Sequence, residues 1–131
     1  MVVHVIAAVI IKDEKLLLVK EFNEDEYHTP GGTVKKFETP EETLKRELKE
    51  EIKVQLKSMR PFGKFNSKTF DGKDLLLETY FAEIEGTPKP SSEIESISWI
   101  GSDYKNNDGV KLTIPSKSYI IPKLIDTGLI K

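Results

Sequence analysis

The sequence predicts an α/β (α+β) fold built on a mixed β-sheet, and three observations carry that expectation. The apolar runs "VVHVIAAVII" and "LLLVKEF" are short and rich in aliphatic residues, as strands are. One segment, "PEETLKRELKEEI", repeats its apolar residues every four positions, as an amphipathic helix does. A turn dipeptide, Asp71-Gly72, divides two further β-type runs.

Taken in order, a strand is expected at about 2–11, then a polar turn, "KDEK" (12–15), then a returning strand (16–22) that completes a hairpin. A loop (23–32) closes on Pro30-Gly31-Gly32. The helix that follows has defined ends. Thr39 suits the N-cap, Pro40 suits N1 because its missing N–H costs nothing there, and Glu42 at N3 completes a capping box. Glu41 and Glu42 favour the positive end of the helix dipole, and Leu44, Leu48 and Ile52 form the buried stripe. Strands are expected over 54–66, 74–86 and 94–100, with a Pro/Ser loop at 87–93 and another loop at 101–109. The tail (116–130) reads as a closing helix, delayed or kinked by Pro122 and ended by Gly128 at C′. The order β-β-α-β-β-β-α, without repeat or linker, predicts a single domain over 1–131. One helix should cover one face of the sheet and the closing helix another.

Composition narrows the function. The 131 residues carry Lys+Arg 20 and Asp+Glu 22, a formal net charge of -2. That balance lacks the electrostatic footprint of a nucleic-acid binder, so no stable nucleic-acid partner is expected. Arg46 and Arg60 are the only arginines, and Lys is the poorer bidentate donor. The absence of cysteine excludes disulfides and thiolate metal sites and fits a reducing cytoplasm, the expected location. The run "VIAAVII" is too short to span a membrane. A monomer or homodimer is expected.

The helix crowds its carboxylates. At about 100° per residue from Leu44 at 0°, Leu48 falls near 40° and Ile52 near 80°, while Glu51, Glu47 and Glu50 fall near 340°, 300° and 240°. The three glutamates thus form a band beside the apolar stripe, while Lys45 and Lys49 lie on its far flank. Partly desolvated carboxylates either take up protons or hold a cation, and hard divalent ions such as Mg²⁺ prefer oxygen ligands. The competing reading is a solvated charged face with Arg46 paired to Glu42 and Glu50. Upstream, Pro30-Gly31-Gly32 lets backbone approach a ligand closely and suits a phosphate seat beside a metal-binding helix.

The stretch "GGTVKKFETPEETLKRELKEEIKV" (31–54) resembles the Nudix box, G-x5-E-x7-R-E-U-x-E-E-x-G-U, with U aliphatic. Gly32 opens it, Glu38 follows, then Arg46-Glu47-Leu48, Glu50-Glu51 and Val54. The pattern departs at Lys53, where the box has Gly, and at Tyr27, where many relatives carry Trp. A Lys in a left-handed position after the helix would bear roughly 1–2 kcal/mol of strain.

The resemblance implies an α/β/α sandwich and a hydrolase of MutT type. Such an enzyme cleaves a diphosphate linkage in a nucleoside triphosphate or a nucleoside diphosphate derivative. It implies Mg²⁺, with Mn²⁺ as substitute, held by Glu47, Glu50 and Glu51. One of these, or a loop glutamate, would accept the proton of the attacking water. Arg46 is expected to orient Glu38 or Glu50, with Gly31, Gly32, Glu38 and Tyr27 around the substrate. Glu93 and Glu95 are the candidate loop glutamates, and Tyr27, Phe22 or Phe81 the candidates to stack on a base. The markers of ADP-ribose and diadenosine polyphosphate hydrolases are missing: Pro61 comes too early and Tyr80 too late. That leaves the broad group that cleaves nucleoside triphosphates to monophosphates, oxidised purine triphosphates among them. ADP-ribose, a 5′-triphosphorylated RNA end, or a non-catalytic nucleotide-binding module are the alternatives. His4 and His28, without an i+4 histidine partner, are poor evidence for zinc, though His28 beside the glycines is placed to touch substrate. Phe62, Phe65 and Phe70 with Lys64 and Lys68 read more simply as alternating core than as a single-strand-binding stripe.

Overall fold

The computed structural model describes residues 2–69, 71–106 and 110–131. Its main sheet is mixed. The first strand, β1 (Val2–Val9), lies between two partners, so both of its edges are used. Two residues on, β2 (Ile11–Lys12) forms a tight hairpin with β3 (Lys15–Glu21) through Asp13 and Glu14. Both turn residues have positive φ, 52° and 62°, the requirement of a type I′ connection. Then come β4 (Glu26–Tyr27), β5 (Gly31–Thr33), helix α1 (Pro40–Ile52), and the long strands β6 (Gln55–Lys68) and β7 (Asp74–Glu85). The chain closes with β8 (Ile94–Ile100), β9 (Lys111–Leu112) and helix α2 (Ile121–Asp126).

The strand order β5-β1-β7-β6 combines a parallel β1–β7 pair with antiparallel β1–β5 and β6–β7 pairs. A smaller sheet, β2-β3-β8, and the β4–β9 pair complete the set. This corrects the expected first hairpin. The run 2–11 breaks at Ile10, and only its last residue, Ile11, with Lys12 from the expected turn, pairs with β3, because β5 and β7 occupy the edges of β1. The two-residue strand β4 and the first two residues of β5 fall in the expected loop 23–32, and β9 lies between the expected loop 101–109 and the closing helix, where no element was expected.

Alternation along the central strands fills a core on each side. Ile6, Ala8, Leu17 and Val19 point to one face, where Leu44, Leu48 and Ile52 of α1 meet them. Val9, Leu16 and Leu18 point to the other, against Ile120, Ile121 and Leu124 of the closing helical segment. Each strand is buried on both faces because each face has its own helix, which makes the α/β/α sandwich.

The helix ends obey local chemistry. Thr39 and Glu42 form the capping box, with Thr39 accepting from the Glu42 amide (3.1 Å) and Glu42 from the Thr39 amide (3.0 Å). At the other end Lys53 is left-handed, φ 58° and ψ 38°, so this lysine carries the strain that a glycine would avoid. The expected closing helix is two pieces: a wide π-type turn, Ser116–Ile120, in which the Ile121 amide reaches Ser116 O, and then six residues of α-helix. Pro122 has no N–H to continue the earlier ladder. Gly128 ends it with φ 73°, its amide on Ile125 O and the Leu129 amide on Leu124 O, the two bonds of a Schellman cap.

The Asp71-Gly72 hairpin and the β8 strand stand where expected. Phe62 is buried edge-on against Phe81, and Phe65 stacks on Tyr119 with centroids 4.8 Å apart, so both serve packing; Phe70 lies outside the described residues. His4 bonds Glu78 at 2.9 Å. Among the described residues no helix is long and apolar enough to cross a membrane.

Candidate functional site

Glu51 is the one buried charged side chain among the described residues, at 1% exposure. Its position follows from the band beside the apolar stripe, turned inward against β5. There the Gly31 amide donates to Glu51 Oε1 at 2.8 Å. Two carboxylates from distant parts of the chain converge on it: Glu21, at the end of β3, and Glu93, just before β8, each with an oxygen within 4.8 Å of the others. Glu93 is held in register by the 87–93 loop. Its amides Lys89 and Ser91 donate to Ile52 O (3.0 Å) and Glu51 O (2.9 Å), satisfying carbonyls at the end of α1.

Burial dominates the electrostatics. It pushes the Glu51 carboxyl up to about 9, with the nearby Glu47, Glu93 and Glu21 charges adding to it and the Gly31 amide opposing it. Burial also pushes Glu21 up to about 7, reinforced by Glu24. Glu93 sits below the ordinary carboxylate range, chiefly through hydrogen bonding from Ser92. A group of carboxylates that burial drives toward protonation gains most from a cation placed between them.

Arg46 organises the neighbouring carboxylates. Its Nε and Nη2 donate to Glu38 at 2.7 and 2.9 Å, Nη1 donates to Glu47 at 2.6 Å, and Nη2 also reaches Thr33 O at 3.2 Å. The fork on Glu38 holds that carboxyl down at about 2. Burial raises Glu47, which Arg46 counters. Glu50 is half-exposed and stands 3.7 Å from Arg46. Arg46 thus orients Glu38, as the sequence suggested, and ties the loop before α1 to the helix.

Gly31 and Gly32 lie where other residues would not fit. A Cβ on Gly31 would overlap the Ile6 carbonyl, and a Cβ on Gly32 would overlap the Glu47 carboxylate. Both glycines line the wall of a cleft of about 550 Å³, together with His28, Thr29, Lys68 and Ile114. Gly31 therefore belongs to the cleft by its backbone and to the carboxylate group by its amide.

The placement of the sequence candidates is uneven. Of Glu47, Glu50 and Glu51, only Glu51 joins Glu21 and Glu93; Glu47 borders them, and Glu50 is turned to Arg46. Of the loop pair, Glu93 enters the group, while Glu95 pairs with Lys20. Tyr27 packs in the second core with its hydroxyl 2.8 Å from Ser96 Oγ, and neither it nor Phe22 nor Phe81 lines the cleft. Glu21 was missed. Its only sequence signal is a carboxylate at the end of a strand, facing a partner thirty positions away.

The donor set is all oxygen, partly buried, and of a kind that a hard divalent ion takes up. Glu51, Glu21 and Glu93 fit such an ion on that ground.

Comparison with known proteins gives the family and the fold. The chain is 33% identical over 79 residues, 60% of its length, to the Bacillus subtilis (strain 168) protein named "Putative 8-oxo-dGTP diphosphatase YtkD", and spans about half (49%) of that relative. The mutator MutT protein from Bacillus halodurans superposes with a TM-score of 0.73 at 24% identity, covering 92% of this chain and 80% of that one. A NUDIX hydrolase from Nitrosomonas europaea does so with a TM-score of 0.76 at 20% identity, covering 96% and 87%. These structural likenesses speak for the fold. A family model of the NUDIX domain matches residues 2–104. With the box on β5 and α1 and the sandwich around it, the chain belongs to the NUDIX family.

Proposed function

We propose that the chain is a pyrophosphohydrolase of MutT type. On this reading it hydrolyses the diphosphate linkage of a nucleoside triphosphate, an oxidised purine triphosphate foremost, with Mg²⁺ as cofactor and Mn²⁺ as substitute. The observation that carries the reading is the buried Glu51 carboxylate. It is met by Glu21 and Glu93 and pinned by the amide of Gly31, the residue whose backbone lines a cleft of about 550 Å³. The name of the B. subtilis relative supports the choice of substrate.

Glu51, Glu21 and Glu93 would hold the ion, with Glu47 and Glu50 available from the same helix. When bound, the ion screens the phosphates from the carboxylates and lowers the pKa of a coordinated water. The protein does the rest. The missing side chains of Gly31 and Gly32 let β5 sit close against β1 at Ile6 and leave room for the Glu47 carboxylate beside the strand, so the carboxylates of α1 stand next to the Gly31-Gly32 backbone that lines the cleft. Arg46 keeps Glu47 and Glu38 fixed relative to each other, so the box loop does not relax when charge changes beside it. Glu93, held below the ordinary carboxylate range by hydrogen bonding from Ser92, would keep one oxygen clear of the ion to accept the proton of the attacking water. The aliphatic floor of Val5, Ala7, Leu75 and Leu77 receives the nucleoside, with Thr29 and Thr113 at its edge.

The deciding experiment is a panel of nucleotides and nucleoside diphosphate derivatives incubated with Mg²⁺, with products read by mass. Pyrophosphate plus nucleoside monophosphate is expected. Cleavage confined to ADP-ribose or to a 5′-triphosphorylated RNA end would replace the triphosphate reading. Metal-independent nucleotide binding without turnover would replace the enzymatic one.

A further inference from the structure

The two sheets diverge after Val9 and leave a recess between them, away from the carboxylate group. The parallel register of β1 with β7 ends at Val9 opposite Phe81. The chain then passes through Ile10 into β2, an edge strand of the smaller sheet. Positions 82–85 of β7 keep β6 on one side and, among the described residues, have no strand on the other. A row of unpaired backbone N–H and C=O groups is a seat for a further strand, and natural edges prevent this with Pro, Lys and bulges. The outer edge of β6 is blunted in that way by Pro61, Lys64, Lys68 and two bulges. Positions 82–85 of β7, Ala-Glu-Ile-Glu, carry neither Pro nor Lys.

Two cavities, of about 440 and 360 Å³, open along this edge and share Ile11, Ala82 and Glu83. The larger adjoins the second core through Val9 and Phe81, the smaller adjoins the first through Ile10 and Ile84. An extended strand sends successive side chains to opposite faces, so one laid along 82–85 offers them to the two cavities in turn. The lining sets the charge: Lys12, Lys57 and Arg60 stand against one carboxylate, Glu83. The Arg60 guanidinium lies over the Phe81 ring, 4.1 Å from its centroid, and every arginine ion pair among the described residues belongs to Arg46. A guanidinium held by a ring face keeps its N–H fork for an incoming carboxylate. Trp99, 36% exposed, walls the smaller cavity beside Pro88 and offers the aromatic surface that anchors partners.

We propose that this recess docks an extended acidic segment of a partner protein, which adds as a short strand to positions 82–85 of β7 and places its carboxylates on Arg60, Lys12 and Lys57. Main-chain bonds supply the affinity of such an addition, and the side-chain cavities supply its selectivity. The recess shares no lining residue with the cleft beside Gly31 and Gly32, so the inference stands apart from the proposed hydrolysis.

The test uses the full chain and a blocked hexapeptide of alternating Glu and Val, with a counterpart that has Lys for Glu and another with Pro at its centre. Trp99, the chain's one tryptophan, reports binding by fluorescence, and amide hydrogen exchange at 82–85 reports strand pairing. The acidic peptide should shift the Trp99 emission and slow exchange at those amides, less so as salt rises. The Pro version should lose most of the affinity, because it removes a main-chain donor. Arg60→Gln should weaken binding by about fivefold or more. Glu83→Gln removes the opposing charge and should strengthen it, and both variants should keep wild-type turnover. Unchanged exchange at 82–85 under millimolar peptide, equal binding of the Lys counterpart, or equal affinity in Arg60→Gln would overturn the proposal. So would an equal fluorescence shift with free glutamate, which marks anion binding alone. Protection of 82–85 that grows with protein concentration in the absence of peptide would put a second copy of the chain there instead.

Discussion

The Gly31 amide donates to the Glu51 carboxylate across 2.8 Å, joining a strand to a helix twenty positions further on. Among the described residues that carboxylate has no ion pair with a Lys, Arg or His, and this bond holds it inside the protein. Burial remains the dominant influence on Glu51, and the predictions about it follow from that balance.

Glu51→Gln keeps an acceptor for Gly31 and removes the charge. Turnover should fall by roughly 10²-fold or more, as loss of a residue that binds the reacting centre does, with the circular-dichroism spectrum retained. Turnover within about twofold of wild type would remove Glu51 from the site.

The same residue governs alkaline behaviour in chelator. The Glu51 carboxyl is raised from 4.5 to about 9 on folding. Its protonated form therefore contributes stability that is fully present below about pH 4.5 and is lost as pH rises toward 9. In chelator the melting temperature of the wild type should fall over this window more steeply than that of Glu51→Gln, and saturating Mg²⁺ should reduce the difference. Parallel curves for the two proteins would refute it.

Arg46→Lys replaces a fork by a point charge. Glu38, now held at about 2, should titrate nearer its ordinary value. Its stabilising contribution is present above about pH 4.5 and lost as pH falls toward 2, so the variant should show a shallower loss of stability across that acid range. Turnover should drop about tenfold, since loosening the support of a site has that order of effect. An unchanged Glu38 titration by NMR would show that Arg46 is not its partner in solution.

Gly31→Ala and Gly32→Ala should part ways. The first collides with the Ile6 carbonyl, which is backbone and cannot yield, so the protein should be destabilised. The second collides with the end of a flexible glutamate, so the fold should survive while Glu47 leaves Arg46 and turnover declines. Thermal melts and turnover assays on both variants would distinguish these outcomes.

Lys53→Gly should stabilise the protein by about 1 kcal/mol, which for a chain of this size is roughly 3–6 °C in melting temperature. The left-handed φ of 58° is the reason. A lower melting temperature would mean that the Lys53 side chain contributes more than its backbone costs.

Local chemistry was legible in the sequence, and distant pairing was not. Thr39, Pro40, Glu42, Gly128 and the Asp71-Gly72 turn each act on their own neighbours, and each stands as read. The box placed Arg46, Glu38 and Glu51 by fixed spacing along one helix and its preceding loop. The first hairpin was misread because alternation identifies a strand but not its partner, and β1 is paired by segments far along the chain. The two- and three-residue strands β4, β5 and β9 are too short to show a period. Glu21 had no pattern to announce it, since only the β3–β8 pairing brings the end of β3 to Glu93. His28 has its i−4 neighbour in a glutamate rather than a histidine, and in a loop that spacing carries no geometric meaning.

The 87–93 segment is moored to the last carbonyls of α1 through Lys89 and Ser91. Glu93 is thus put in its place when the chain folds, before any guest arrives. On the proposed reading, lengthening that segment by a residue would slip the mooring and slow turnover by setting Glu93 adrift, well before the sandwich itself weakened.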